Sequence, residues 1–514
     1  MAVKTFAAIS IGSSETELKI YECSPSRGLK ELDCVSTRLN LGLDVFNEQR
    51  ISAENTEELC RVLLDFREIM QSYRVSTWRV CATSAFRESR NNLILKNYVE
   101  GRTGLKIDVL SNSEQRFLDY KAIASVTQEF DQIIQKATAI VDLGGTSMQI
   151  SLFDKDKLIT TQNIRLGTLT TAEKLAPYER NRAHFDAMIT ELMGHELEGF
   201  NKLYQKDRQI KNLIVVGGNL VEVMKPFQKE NKRITSVTRE QFLAQYHFIS
   251  DQEADEISRK FDIPVEKTTV MLPALLFCRN LMEYFGVDTV WFPGFSLNDG
   301  MAFDYAQKNR EIRISHNFDE DIIAAARSIS KRYKCNQQHI RCLEAVGLQV
   351  FDRLKKQHGL SPRDRLLLQI AIILHNCGKY ISLEDVSDCA FNIIMATEII
   401  GLSHLERQIV AYTVKFNSSE LPDFEDFETG GEINVENYLR IAKLTAILRL
   451  VNALDRTHRQ KCPEFTVTLK EKELKIQAQT DADMTLEAGT FREKAPFFDS
   501  IFHVTPVFKR KKKL

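Results

Sequence analysis

The feature that most constrains the fold is an internal repeat. Residues 8–21 and 140–153 both run from an apolar stretch, through a turn rich in Gly, Ser and Thr, into alternating apolar and polar residues. This pattern predicts a strand, a tight turn and a second strand, and it predicts them twice. If the two similar halves face each other, the two turns lie on opposite walls of one cleft.

Both turns have the composition of a phosphate-binding site. Superposing Gly12 on Gly144 aligns Ser10 with Asp142. Glycine lets a ligand approach the backbone closely, consecutive N–H groups form an anion-binding nest, and hydroxyl groups add donors. One such turn alone is typical of an ordinary hairpin, so the repetition carries the prediction. The candidate phosphate-binding residues are Gly12, Ser13, Ser14, Gly144, Gly145, Thr146 and Ser147.

A third glycine turn follows the short apolar strand predicted at Leu213–Val216. Gly217, Gly218 and Asn219 suit contact with a phosphate or a ribose, and they suit a plain strand-ending turn equally well. Helical spacing over Glu54–Tyr73, together with such strands, predicts that both halves are mixed α/β.

Polar residues cluster after predicted strands, where ligands bind in α/β folds. Hydrolysis of a phosphoanhydride needs a base to orient water, cations to neutralise phosphate oxygens, and amides to hold them. Glu114 is the candidate base, Arg87 suits phosphate through its planar fork, and Asp142 suits Mg²⁺. Each residue also has a structural interpretation: Glu114 as a helix N-terminal charge, Arg87 in a surface ion pair, and Asp142 in a turn.

The order of these motifs resembles that of the Ppx/GppA phosphatase family across nearly the whole chain. The matching segments are Gly12-Ser13, Ala82–Glu88, Ser111–Arg116 and Asp142–Ser147. The resemblance implies an α/β protein with a duplicated actin-like (ribonuclease H-like) half, then an all-α HD-like domain and a small α+β segment. It also implies Mg²⁺-dependent removal of the terminal phosphate from polyphosphate, or of the 5′ phosphate from guanosine pentaphosphate.

Three departures from the family pattern bear on the metal. The family usually has Asp at Ser10, Asn-Ser at Ser14-Glu15, and Glu at Gln149. We take Gln149 and Asp142 as the metal positions, because they lie on strands flanking one tight turn. A neutral amide or hydroxyl binds Mg²⁺ less strongly than a carboxylate does. The alternative to an enzyme is therefore a regulatory protein that binds polyphosphate or nucleotide and turns it over poorly.

Helical patterns replace the mixed α/β pattern in the C-terminal half. We predict two actin-like domains (1–130 and 131–305), a helical HD-like domain (306–462) and a small C-terminal domain with a basic tail (463–514). This half and the Glu114 segment favour a phosphatase over a sugar or acetate kinase of the same superfamily. The predicted helices here are Ile322–Tyr333, His339–His358, Pro362–Leu374 and Tyr438–Leu454.

The HD-like part lacks a complete metal site. A working HD site needs a first His, a His-Asp pair and a later Asp. His339 and His375 are present, but Asn376 replaces the paired Asp, and Asn452 occupies the last position with Asp455 one turn away. We therefore expect the two histidines to be packed or hydrogen-bonded and to hold no catalytic metal.

Composition bounds the setting in which the protein works. No apolar run approaches the length of a membrane span, no signal peptide is recognisable, and ten scattered cysteines form no Cys-x-x-Cys, so we expect a cytoplasmic protein. A net charge of −1 makes nucleic acid an improbable partner. The run Lys509–Lys513 suits a frayed, solvated tail or a polyanion-binding one. We expect a homodimer that binds polyphosphate or a polyphosphorylated guanine nucleotide.

Overall fold

The structure, a computed structural model, divides into two compact units, Met1–Asn317 and Phe318–Leu514. The finer division into four domains stays a prediction. Gly218, Asn219 and Lys513, all named above, lie outside the described residues. The described residues are 4–24, 28–126, 132–155, 157–178, 182–217, 220–228, 235–263, 265–312, 317–427, 433–462 and 464–512.

Two mixed sheets form the centre of the first unit. The first sheet contains β1 (Lys4–Ile11), β2 (Glu15–Ser24), β3 (Gly28–Arg38), β4 (Thr77–Ala82) and β5 (Ile107–Val109). The second contains β6 (Thr138–Leu143), β7 (Met148–Asp154), β8 (Lys157–Ile164), β9 (Asn212–Gly217), β10 (Thr235–Thr238) and β11 (Thr289–Phe292).

The two sheets repeat one topology. Their strand orders are β3-β2-β1-β4-β5 and, read from the other edge, β8-β7-β6-β9-β11-β10. In both, the first strand pairs antiparallel with the second and parallel with the fourth. The predicted repeat is confirmed as the hairpins β1–β2 and β6–β7, and the predicted duplicated α/β half is confirmed with it.

Helices cover both sheets. In the first unit they are α1 (Leu41–Glu48), α2 (Ala53–Ser72), α3 (Ser84–Glu88), α4 (Asn92–Thr103), α5 (Asn112–Val126), α6 (Thr168–Leu175), α7 (Arg182–Phe200), α8 (Leu220–Met224), α9 (Arg239–Ser250), α10 (Ala254–Phe261), α11 (Val265–Phe285) and α12 (Leu297–Lys308).

β1 is buried on both of its faces, because successive side chains of a strand point to opposite sides. Ile9 and Ile11 belong to the core that also holds Leu63 of α2, whereas Phe6 and Ala8 pack with residues of α12. This double burial explains the apolar run of the first repeat. It also fixes the carboxyl end of β1, where the first glycine turn begins.

The second unit is mainly helical, as predicted, and ends in a small α+β part. Its elements are α13 (Phe318–Arg332), α14 (Gln337–Arg353), α15 (Lys355–His358), α16 (Pro362–Leu374), α17 (Val386–Ala396), α18 (His404–Lys415), α19 (Val435–Asn452), β12 (Phe465–Lys470), β13 (Glu473–Gln479), α20 (Thr485–Phe502) and β14 (Thr505–Lys511). No helix among the described residues is both long and apolar enough to cross a membrane.

Local signals set the bounds of several of these elements. α16 begins and ends at the predicted residues because Ser361 and Asp364 form a capping box ahead of the apolar run. The expectation of a frayed basic tail is wrong for Lys509, Arg510 and Lys511. They lie in β14, which pairs in parallel with β13, although their side chains remain exposed.

Candidate active site

The two glycine turns of the first unit close in the same way. The Gly12 N–H donates to the Glu15 carbonyl at 2.8 Å, and the Gly144 N–H donates to the Ser147 carbonyl at 3.0 Å. A Cβ atom at either glycine would lie 2.9 Å from that carbonyl oxygen. Both turns therefore need glycine for the same steric reason.

The two turns face each other across one cleft. A Cβ built on Gly145 would lie 3.9 Å from the Cβ of Ser13. The cleft has a volume of about 390 Å³ and is lined from both halves, by Ser14 of the first turn and by Gly145 of the second. The arrangement expected from the repeat, with one turn on each wall, is therefore present.

The carbonyl groups of the turns are used within the protein, but several of their N–H groups are not. The Gly42 N–H donates to the Ser13 carbonyl at 2.7 Å, and the Leu169 N–H donates to the Gly145 carbonyl at 3.0 Å. Donors left without an acceptor among the described residues are the backbone N–H groups of Ser13, Ser14, Gly145 and Thr146. These groups can bind the oxygens of an anion.

Gly217 ends β9 at the floor of this cleft and has a φ of +82°. A Cβ there would lie 2.6 Å from the Leu143 carbonyl oxygen and 3.3 Å from Oδ1 of Asp142. The glycine therefore allows the end of β9 to lie directly against the Asp142 side chain. Its proposed contact with phosphate or ribose stays a prediction, as do those of Gly218 and Asn219 outside the described residues.

Two predicted catalytic side chains are not part of the cleft lining. The Glu114 carboxylate accepts hydrogen bonds from the Ser111 N–H at 3.0 Å and from the Ser111 hydroxyl at 2.8 Å, as a cap of its own helix. The Arg87 guanidinium donates to the Leu110 carbonyl at 2.7 Å. Glu114 thus has the helix-end role that we considered, whereas Arg87 is held by a backbone carbonyl, with its Nη2 4.0 Å from Oε1 of Glu88. The catalytic role of each stays a prediction.

The sequence interpretation missed two cleft residues of α5, Gln115 and Asp119. They are four residues apart, so they lie on the same face of the helix, one turn from each other. This four-residue spacing of two polar residues could have predicted that they share one face of the helix. However, the cap contacts hold the Glu114 carboxylate against Ser111, outside the cleft lining.

Close packing against α12 holds α5 in this orientation. A Cβ at Gly300 would lie 2.3 Å from the Leu118 carbonyl oxygen, so only glycine allows the two helices to approach this closely. The buried Lys121 ammonium also contacts Oδ1 of Asp304 on α12 at 2.7 Å. These contacts link the position of Asp119 to the packing of the two helices.

Asp119 and Asp142 are two carboxylates of the cleft to which no described residue donates a hydrogen bond. Burial, and then the charge of Asp142, raises the pKa of Asp119 well above its ordinary value, although Arg116 opposes the shift. Burial likewise raises the pKa of Asp142 against the opposing charge of Arg116. One buried guanidinium therefore does not balance the two carboxylates, and a cation would stabilise their charged forms.

Gln149, predicted as a metal position, is not in the cleft lining. Its Oε1 accepts a short hydrogen bond from Nε of Arg116, and its Nε2 donates to Oδ1 of Asn112 at 3.3 Å. The side chain is 3% exposed. The amide is therefore committed to a buried network that holds Arg116.

The first wall carries an acid at a different position. Ser10 lines the cleft and pairs across the hairpin with Glu17. The Glu17 carboxylate accepts a hydrogen bond from Nδ2 of Asn298 at 2.8 Å, and burial raises its pKa while Lys19 opposes the shift. The Lys19 ammonium contacts Oδ2 of Asp299 at 3.1 Å. This wall is thus tied by polar contacts to α12.

His339 and His375 of the second unit are buried and hydrogen-bonded, as predicted. Nδ1 of His339 contacts Oδ2 of Asp455 at 2.8 Å, and its Nε2 lies 3.2 Å from Nε2 of His375. Nδ1 of His375 contacts the Ile372 carbonyl at 2.7 Å, and Nδ2 of Asn376 contacts its Nε2 at 2.8 Å. Every ring nitrogen of this pair therefore has a protein partner, while the lack of a catalytic metal here stays a prediction.

Comparison with known proteins gives two family matches. Residues 32–309 match the Ppx/GppA phosphatase family, and residues 323–492 match domain III of Ppx/GppA phosphatases. A guanosine-5′-triphosphate,3′-diphosphate pyrophosphatase of Photobacterium profundum is 20% identical over 91% of this chain and 90% of its own. One of the same name from Pseudoalteromonas translucida is 20% identical over 93% of this chain and 92% of its own.

Solved structures share the fold. A Ppx/GppA family member of Aquifex aeolicus superposes with a TM-score of 0.50 at 18% identity, over 62% of this chain and all of its own. An exopolyphosphatase of Cytophaga hutchinsonii superposes with a TM-score of 0.52 at 15% identity, over 61% of this chain and all of its own. The duplicated actin-like fold of the N-terminal half is therefore shared with both.

Proposed function

This chain belongs to the Ppx/GppA phosphatase family, and from that premise we propose that it is an exopolyphosphatase-like hydrolase. It removes a terminal phosphate from a polyphosphorylated guanine nucleotide or from inorganic polyphosphate, with Mg²⁺ as cofactor. One observation carries the proposal: two facing turns with unused N–H groups share a cleft with two carboxylates that lack protein donors.

The turns hold the phosphate chain of the substrate. The N–H groups of Ser13, Ser14, Gly145 and Thr146 donate to phosphate oxygens, and the hydroxyls of Ser14 and Thr146 add further donors. Because the groups come from both walls, a chain of phosphates bridges the cleft. The terminal phosphoryl group is then held in place while its bond to the rest of the chain breaks.

The donor set fits a magnesium ion. Ppx/GppA phosphatases are generally metal-dependent, and Asp142 is a cleft carboxylate without a protein donor. No group of three or more His, Cys, Asp or Glu among the described residues is arranged to hold a metal. Mg²⁺ suits such a site, since it uses one or two carboxylates and keeps several waters. When bound, the ion neutralises charge on the phosphate oxygens.

The attacking water is oriented by the Gln115 amide, which lines the cleft one turn before Asp119. An amide can position a water in phosphoryl transfer without taking its proton. Glu114 can act as the base that we first considered only if its carboxylate leaves the Ser111 cap. A water held by a neutral amide favours slow turnover, which supports a regulatory binding protein as the second candidate function.

Charge favours a nucleotide over bare polyphosphate. The acidic residues lining the described cleft are Glu15, Glu17, Asp119, Asp142 and Glu222, against the basic residue Lys19. The apolar side chains of Leu169, Val216 and Phe295 also line it. A nucleotide can place its uncharged base against apolar side chains, whereas polyphosphate brings only charged oxygens into an acidic cleft.

The test is phosphate release from guanosine pentaphosphate and from long polyphosphate, with Mg²⁺ or with EDTA, beside direct binding of both ligands. We expect Mg²⁺-dependent release that is faster with pentaphosphate. Binding of pentaphosphate without release would support the regulatory function instead. Neither binding nor release of either compound would contradict both functions. Homodimerisation stays a prediction, and so does the cytoplasmic location expected from the composition.

A further inference from the structure

The acids of the cleft differ in whether the protein already satisfies them. Glu17 is hydrogen-bonded to Asn298, and Glu222 forms a short ion pair with Lys225, the residue that follows the end of α8. Asp119 and Asp142 receive no hydrogen bond and form no ion pair with any described residue. A half-buried carboxylate to which no protein group donates is costly, so this pair has the strongest requirement for a ligand from outside the chain.

Two further positions, at which the family usually carries acids, provide no carboxylate to the cleft in this chain. Ser10 presents a neutral hydroxyl to the cleft. Gln149 presents its amide to Arg116 and Asn112. A carboxylate at 149 would therefore meet the Arg116 guanidinium and would not reach the cleft.

The nearby guanidinium cannot replace a metal ion. Arg116 carries one charge against two carboxylates, and its Nε is already bound by Gln149. One negative charge of the pair is left to be balanced from outside the protein.

We propose that Asp119 is the second protein ligand, together with Asp142, of the divalent cation in the cleft. Asp119 provides this carboxylate from α5, one turn beyond Gln115. The inference rests on the proposed function for the purpose of the cation, but the binding itself can be measured without any substrate.

The direct test is Mn²⁺ binding to the full chain, followed by electron paramagnetic resonance, with Mg²⁺ as competitor. Asp119→Asn and Asp142→Asn keep the shape of each side chain and remove one charged ligand, so each should weaken Mn²⁺ binding by about tenfold or more. Glu222→Gln is the matched control in the same cleft and should stay within about twofold of the unaltered chain. Gln149→Glu should not strengthen binding.

A change of metal preference separates a ligand from a nearby charge. Asp119→Cys places a thiolate where the carboxylate was, and Asp119→Ser is its control of similar size. The Cys variant should bind Cd²⁺ about tenfold more tightly than the Ser variant, because soft ions select sulfur. Circular dichroism and thermal melting confirm that each variant is folded.

Two results would overturn the proposal: an unaltered chain that binds no Mn²⁺, or Asp119→Asn with unchanged affinity. Equal Cd²⁺ affinity of the Cys and Ser variants would also contradict direct ligation. The proposed function fails separately. If Mn²⁺ binds as expected but no phosphate is released from pentaphosphate or polyphosphate, the cation site stands and the hydrolase does not.

Discussion

The two walls of the cleft have the same backbone but carry their acids at exchanged positions. Register pairs Ser10 with Glu17 on the first wall and Asp142 with Gln149 on the second. Because Gly12 and Gly144 superpose, Ser10 corresponds to Asp142, and Glu17 corresponds to Gln149. At these two paired positions each hairpin thus carries one carboxylate and one neutral side chain, with the order reversed.

The acids of the two walls have different roles: Glu17 stabilises the structure, and Asp142 faces the cleft. Glu17 accepts a hydrogen bond from Asn298 of α12, so it helps to hold the first wall to that helix. Asp142 accepts no hydrogen bond from the described residues and faces the cleft. We infer that the duplication supplied two equivalent turns for phosphate, whereas only the second wall supplies a carboxylate to the chemistry.

The largest expected effect is the loss of Asp142, the acid of the second wall, and Glu17 of the first wall is its control. Asp142→Asn should lower phosphate release by about 10² to 10³-fold, the usual loss for an electrostatic group in a reaction centre. Glu17→Gln keeps the hydrogen bond to Asn298 and should change the rate by less than about threefold. Initial rates at saturating Mg²⁺ give the comparison. Equal losses in the two variants would show that both walls serve the reaction.

The second prediction concerns α5, whose residues Gln115 and Asp119 line the same cleft as Glu17 and Asp142. Gln115→Glu places a carboxylate in the cleft and should raise the rate by about 10 to 10²-fold, toward the gain that a general base gives. Glu114→Gln keeps an oxygen that can accept from Ser111, so it should leave the rate within about threefold and lower stability by less than about 1 kcal/mol. Single-turnover phosphate release and urea unfolding measure the two effects. If Glu114→Gln abolishes release, Glu114 is the base after all.

These cases show what the sequence could and could not predict. The paired turns were predictable because the steric need for Gly12 and Gly144 is local. The spacing Ser111-x-x-Glu114 is that of a capping box, so the structural role of Glu114 was open to prediction. That Gln115 faces the cleft was not, because one residue turns a helical side chain by about 100° and the orientation of α5 is set by tertiary packing. The role of Gln149 depends on Arg116, far away along the chain, which no local pattern indicates.

The third prediction concerns the glycine turns, which have the same geometry in both walls. Gly12→Ala and Gly144→Ala each bring a Cβ to 2.9 Å from a backbone oxygen. Each should destabilise the protein by about 1–3 kcal/mol, the usual cost of overpacking. Gly101→Ala and Gly194→Ala are matched controls on helices with open space at the Cβ position, and they should be neutral or slightly stabilising. Urea unfolding midpoints that differ strongly between the two turn variants would contradict the equivalence of the turns.

The smallest effect is expected in the pH dependence of stability at Glu17. Burial raises the pKa of Glu17 above its ordinary value, so the folded protein holds this proton to a higher pH than the unfolded chain does. As the pH rises from the unfolded pKa through the folded one, the free energy of unfolding should therefore fall, because the folded state binds more protons. Glu17→Gln removes this contribution. The variant should match the unaltered chain at the acid end of that window and be more stable above it.

The measurement is urea unfolding of both proteins between pH 4 and pH 8, with the difference in unfolding free energy plotted against pH. Asn298 donates equally well to a glutamine amide oxygen, so the hydrogen bond is kept and the charge alone changes. A difference that grows with pH would show that the charge of Glu17 destabilises the folded protein. A flat difference would mean that Asn298 and Lys19 fully stabilise the charge of Glu17. In that case the protein stabilises Glu17 equally well in its ionised and protonated forms. Glu17 would then need an external ligand even less than Asp142 does.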